Sequence, residues 1–91
     1  KEWSKFNETS FKYAECSTCS DRLDLNLLDK TNGFLTEYST STPSEDMAEL
    51  FSFLTVDEDK IKKKALKDPI LSKKISFLEK KLLKIDTNFK F

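Results

Sequence analysis

The sequence predicts an α+β chain, mostly α: a short extended N-terminal half able to close into a small hairpin, followed by three helices at about 43–54, 56–67 and 69–85. Three observations carry that expectation. Leu23, Leu25 and Leu27 alternate with Asp24 and Asn26, the period of a half-buried strand. Asn32-Gly33, which holds the chain's one glycine, is a strong turn dipeptide between that run and a second short extended piece at 34–38. From Thr42 onward the apolar residues change to helical spacing, and threonine, aspartate and proline stand where helix starts need them.

Taken in order, residues 1–13 place Trp3, Phe6, Phe11 and Tyr13 among polar neighbours without a clear period, an irregular segment rich enough in aromatics to dock on a core. Asn7-Glu8-Thr9 fits the acceptor pattern for N-glycosylation, a short match that is common by chance. Cys16-Ser17-Thr18-Cys19 is a C-x-x-C in a polar stretch of turn composition. With no histidine and no third cysteine, the chain cannot close a structural zinc site by itself, and no βαβ context surrounds the pair as a thioredoxin-like motif requires. Cys16 and Cys19 are therefore read as a local disulfide or as two free thiols.

Thr42 as N-cap, Pro43 at the first helical position and Glu45 three residues after the cap compose a capping box. Met47, Leu50, Phe51 and Leu54 follow as a stripe that faces a core, with Glu45, Ala48, Glu49 and Ser52 on another face. Thr55 and Glu58 repeat the start signal, so a second helix is expected, weakly amphipathic through Ile61, Ala65 and Leu66 and ringed by lysines. Asp68-Pro69 ends it and caps the third. There Leu71, Ile75, Leu78 and Leu82 make the cleanest stripe in the chain, and Lys73, Lys74, Lys80, Lys81 and Lys84 are expected outside it.

Ninety-one residues make one small domain at most, with little room for a large internal site. Basic and acidic side chains balance at 16 each, but residues 1–59 carry a net charge of −8 and residues 60–91 one of +8. The halves should attract each other or separate partners. The basic half has no arginine and no aromatic interleaving suited to base stacking, so nucleic acid is not an expected partner. No apolar run approaches the roughly 18 residues that span a bilayer. The sequence starts at Lys1 rather than methionine, and we expect a piece of a longer protein.

The stretch at 33–54 reads Gly-Phe-Leu-Thr-Glu-Tyr, six residues, then Glu-Asp-Met-Ala-Glu and an apolar helix. It resembles the downstream half of the active site in zinc metallopeptidases of the gluzincin class, closest to the branch containing the catalytic domain of anthrax lethal factor and a group of bacterial zinc peptidases. In that family a tyrosine shortly before the helix points at the metal, a glutamate in the first turn is a zinc ligand, and an acidic residue four later supports a histidine ligand. The resemblance implies those roles for Tyr38, Glu45 and Glu49 in turn. It implies zinc as cofactor, a peptide or protein substrate, and the remainder of a parent peptidase domain as partner, with residues 1–91 as its C-terminal part.

The chemistry agrees with the carry-over: catalytic zinc takes three protein ligands, and two histidines with one glutamate are a standard set. The family's other half, HExxH, is missing, since the chain holds no histidine. Zinc would need histidine ligands from outside this chain, and the chain alone is expected to be inactive. The competing reading is a non-enzymatic helical module whose basic, amphipathic C-terminal half docks on an acidic partner or a membrane surface, the membrane being the less favoured. The sequence assigns no compartment and leans only to a secreted or cell-surface setting.

Overall fold

The computed structural model describes residues 2–14, 16 and 21–89. Two helices carry the architecture, α1 at Pro43–Ala65 and α2 at Pro69–Ile85, preceded by 3-10 turns at Trp3–Phe6 and Tyr38–Thr40. No strand occurs among the described residues, so the α+β expectation with its hairpin is corrected to an all-helical fold.

The reason lies in where the leucines point. Leu23 and Leu25 are 55% and 61% exposed, and of the alternating leucines Leu27 alone packs against the core, so the run has no buried face. Segments 21–28 and 34–38 do approach each other, through Leu28 N–H donating to Leu35 O at 2.7 Å and Tyr38 N–H to Asp24 O at 3.0 Å. A hairpin ladder would exchange bonds in regular pairs. Here the N–H groups of Asp24 and Asn26 turn to the carboxylates of Glu37 and Asp24. Gly33, at φ +86°, serves a close approach to α2 rather than a two-residue hairpin turn: a Cβ at that position would run into Ile70 Cγ2.

The expected first and second helices run together as α1, while the third stands at Pro69–Ile85 where it was expected. Thr55 caps nothing; its hydroxyl donates to Ser52 O at 2.7 Å, and α1 runs on through it. One residue inside α1, Asp57, is non-helical at φ −150° and ψ 66°, which puts a kink where two helices were predicted. Leu54 and Ile61, seven residues apart across that kink, are both fully buried, so the two parts of α1 share one core. At α2 the start is local chemistry: Asp68 Oδ1 accepts from Leu71 N–H at 3.0 Å and Pro69 takes the first position.

The core is Trp3, Leu35, Leu50, Leu54, Ile61, Leu71, Ile75 and Leu78, each side chain worth about 1.5–3 kcal/mol of transfer free energy when fully buried. Trp3 enters edge-on against Phe6 and Phe77, which is how the N-terminal segment closes over α2. Phe51 stays 37% exposed, so the buried stripe of α1 is narrower than the spacing predicts. Asn7 Nδ2, the nitrogen a glycan would take, donates to Tyr13 Oη at 2.8 Å within the fold.

Candidate functional site

The stretch singled out by sequence is built from the turn before α1 and the helix's first two turns. Thr36 and Ser39 bond each other reciprocally: Thr36 N–H donates to Ser39 Oγ at 3.3 Å, Ser39 N–H to Thr36 Oγ1 at 3.1 Å, and Ser39 Oγ–H to Thr36 O at 2.6 Å. Both residues are fully buried. This closed pair forms the corner from which the Tyr38–Thr40 turn projects. Tyr38 is fixed at its backbone, its carbonyl accepting from Ser41 N–H at 3.0 Å and Ser41 Oγ–H at 2.6 Å.

Thr42 is the N-cap of α1, accepting from Glu45 N–H at 3.1 Å. The reciprocal half of the predicted capping box is not made: the Glu45 carboxylate has no hydrogen bond among the described residues. Glu45 is half-buried in the first turn, where the helix dipole favours an anion. Glu49 stands one turn further on, close to Glu45 by helical geometry. Its Oε1 accepts from Thr36 Oγ1 at 2.8 Å, so the buried threonine ties the corner to the helix.

The most densely bonded residues nearby are ones that sequence reasoning did not single out for the site. Asp46, directly after Glu45, is 2% exposed. Its Oδ2 accepts from Lys74 Nζ at 2.7 Å, Tyr13 Oη at 2.7 Å and Trp3 Nε1 at 2.9 Å. Lys74, expected on the outer face of α2, is fully buried. Its ammonium also donates to Gly33 O at 2.8 Å and lies 3.8 Å from the Phe34 ring centroid. Burial pushes the Asp46 carboxyl up against the opposing pull of Lys74, and burial pushes the Lys74 ammonium down against the pull of Asp46. Burial, and then the charge of Asp46, raise the Tyr13 phenol well above its ordinary value. This network joins the N-terminal segment, the Gly33 corner, α1 and α2, and it fixes the turn of helix that carries Glu45.

A signal for Lys74 was present. It lies three residues after Leu71 and four before Leu78, on the apolar stripe itself, where a lysine must find a partner. Thr36 carried no comparable signal, because its use depends on Glu49 folding back over it.

Of the remaining predicted residues, Cys16 is disulfide-bonded and Cys19 lies outside the described residues. Among the described residues no three His, Cys, Asp or Glu side chains gather into a group that could hold a metal ion. The chain matches no protein-family model, no curated protein and no solved structure.

Proposed function

We propose that residues 33–54 supply the downstream part of a zinc peptidase active site, with Glu45 as one metal ligand, Glu49 supporting a histidine ligand, and Tyr38 as a hydrogen-bond donor to the substrate carbonyl oxygen. The observation that supports this reading is the division of labour between the two glutamates. Glu45, at the helix start, is left unbonded by its own cap, while Glu49 is oriented by Thr36. A carboxylate at a helix N-terminus stays ionised, as a ligand must. Glu49 uses Oε1 for Thr36, which leaves Oε2 to accept an imidazole N–H and fix its tautomer.

The residues of this chain fit one ligand of a zinc set and not the whole set, since three are needed and no histidine is present. Zinc, when bound, supplies Lewis acidity to the scissile carbonyl. Within that chemistry Tyr38 stabilises charge developing on the carbonyl oxygen through its phenol, and Glu45 contributes a negative oxygen from a helix whose first turn is held by Asp46.

The test is made on a longer chain that carries an HExxH segment upstream. Glu45→Gln is expected to remove most bound zinc and peptide cleavage together, and Glu49→Gln to weaken zinc binding by about 10–100-fold. Unchanged zinc stoichiometry in Glu45→Gln overturns the assignment, as does a parent sequence with no HExxH.

A further inference from the structure

Away from this stretch, the C-terminal end of α1 and the loop before Gly33 enclose an open cleft of about 900 Å³. Lys60, Lys63 and Lys64 line it from one face of the helix, at i, i+3 and i+4, Lys67 joins them from the turn after the helix, and Lys30 faces the same space from the loop. A lysine-rich helix end is favoured by the helix dipole alone. That explanation does not reach Lys30, which belongs to a different segment.

The charges in the cleft are not balanced internally. Asp68, on its wall, spends its carboxylate on Leu71 N–H, Thr31 Oγ1–H and Gly33 N–H. Lys64 is tied down by Leu28 O at 3.0 Å and Asp29 O at 3.4 Å, which holds the loop against the helix and shapes the cleft. The ammonium groups of Lys30, Lys60, Lys63 and Lys67 make no hydrogen bond or ion pair among the described residues, and Asp29 is the one lining carboxylate left to oppose them. Lys62, between them in sequence but on another face, has Glu58 at 2.8 Å and Glu79 at 3.6 Å. Like charges one helical turn apart cost stability, so this cluster carries a repulsion that its neighbour Lys62 avoids.

We propose that this cleft binds a compact anion bearing clustered phosphate groups. Several lysines brought to one cleft from two segments match the high charge density of linked phosphates, and the amide of Asn32 stands at the rim as a further donor. The inference does not depend on the peptidase reading. Such an anion is either free in solution or displayed on a lipid headgroup, and the two sources share this chemistry.

The experiment uses the 91-residue chain and sodium tripolyphosphate in isothermal titration calorimetry at roughly 0.1 M salt, where the screening length is about 10 Å. Saturable binding is expected. Lys63→Glu/Lys67→Glu should weaken it by about tenfold or more, while Lys73→Glu/Lys80→Glu, an equal charge change on exposed positions of α2, should alter it by less than about twofold. These sites are all exposed, and circular dichroism confirms that each variant folds. Absence of binding overturns the proposal, and so does equal weakening by both double variants, which would mean attraction to overall charge alone. Vesicles containing a few per cent of a bisphosphorylated inositol lipid form the second arm. Binding there beyond that of vesicles of equal charge made with phosphatidylserine assigns the headgroup as source, and no such excess assigns a free anion.

Discussion

One oxygen of Asp46 receives donors from three separate parts of the chain, and its worth is set by what removal would strand. Taking away Lys74 leaves a carboxylate that is 2% exposed with no cation beside it. Lys74→Met is therefore expected to lose about 3–5 kcal/mol of stability in urea titrations, a large part of the total for a domain of this size. Tyr13→Phe should cost roughly 1.5 kcal/mol, one hydrogen bond to a charged group. The phenol also sets a pH dependence. Its folded-state value is raised, so above about pH 10 the unfolded chain releases this proton while the folded chain keeps it. Stability from Tyr13 is complete below that pH and falls as pH rises through it. Urea titrations from pH 9 to 11 should show the wild-type advantage over Tyr13→Phe shrinking, and a constant difference would contradict the hydrogen-bonded phenol. Asp46 and Lys74 were not paired by sequence because their partners lie 28 to 43 residues away. A misplaced polar residue on a stripe is visible locally; the group that satisfies it is not.

At the scale of elements, Asp68 does more than begin a helix. It caps α2 at Leu71 and holds the Gly33 corner through a buried N–H at 2.8 Å. Asp68→Ala should lose about 1 kcal/mol for the cap and a further 1–3 kcal/mol for the stranded Gly33 N–H, whereas Asp68→Ser, which can still cap, should lose less. Thermal melts of the three proteins order them. Gly33→Ala is expected to be as damaging by another route, since its Cβ meets Ile70 at a φ that favours glycine. These elements show what the sequence could convey. The starts at Thr42-Pro43 and Asp68-Pro69 depend on residues within one turn, and both caps stand where spacing put them. The strand at 23–27 failed because the alternating run has no buried face: Leu23 and Leu25 are exposed together with Asp24 and Asn26, and of the three leucines Leu27 alone packs on the core. Thr55 failed as a cap because the break in α1 falls two residues later, at Asp57, and Thr55 sits in the turn before it with its hydroxyl bonded back to Ser52 O.

For the whole molecule, the opposed charges of the two halves meet in one buried pair, Lys74 with Asp46, and much of the remaining basic surface surrounds the cleft at the end of α1. The candidate site was legible as a stretch, through Tyr38, Glu45 and Glu49, and not as a mechanism of support. Thr36, Ser39 and Asp46 hold it by contacts that only the folded chain creates.

The convergence on Asp46 also prescribes an order of assembly. Trp3 and Tyr13 reach it across 43 and 33 residues, while α1 and α2 are joined by a short turn. Long closures cost chain entropy before they return contacts, so the helical pair should form ahead of the N-terminal segment. Tyr13→Phe is then expected to speed unfolding by about tenfold and leave the folding rate within about twofold. Stopped-flow fluorescence of Trp3, the chain's one tryptophan, reads that closure directly. Slower folding with an unchanged unfolding rate would place the segment inside the folding nucleus instead, making the clasp the first thing the molecule builds rather than the last.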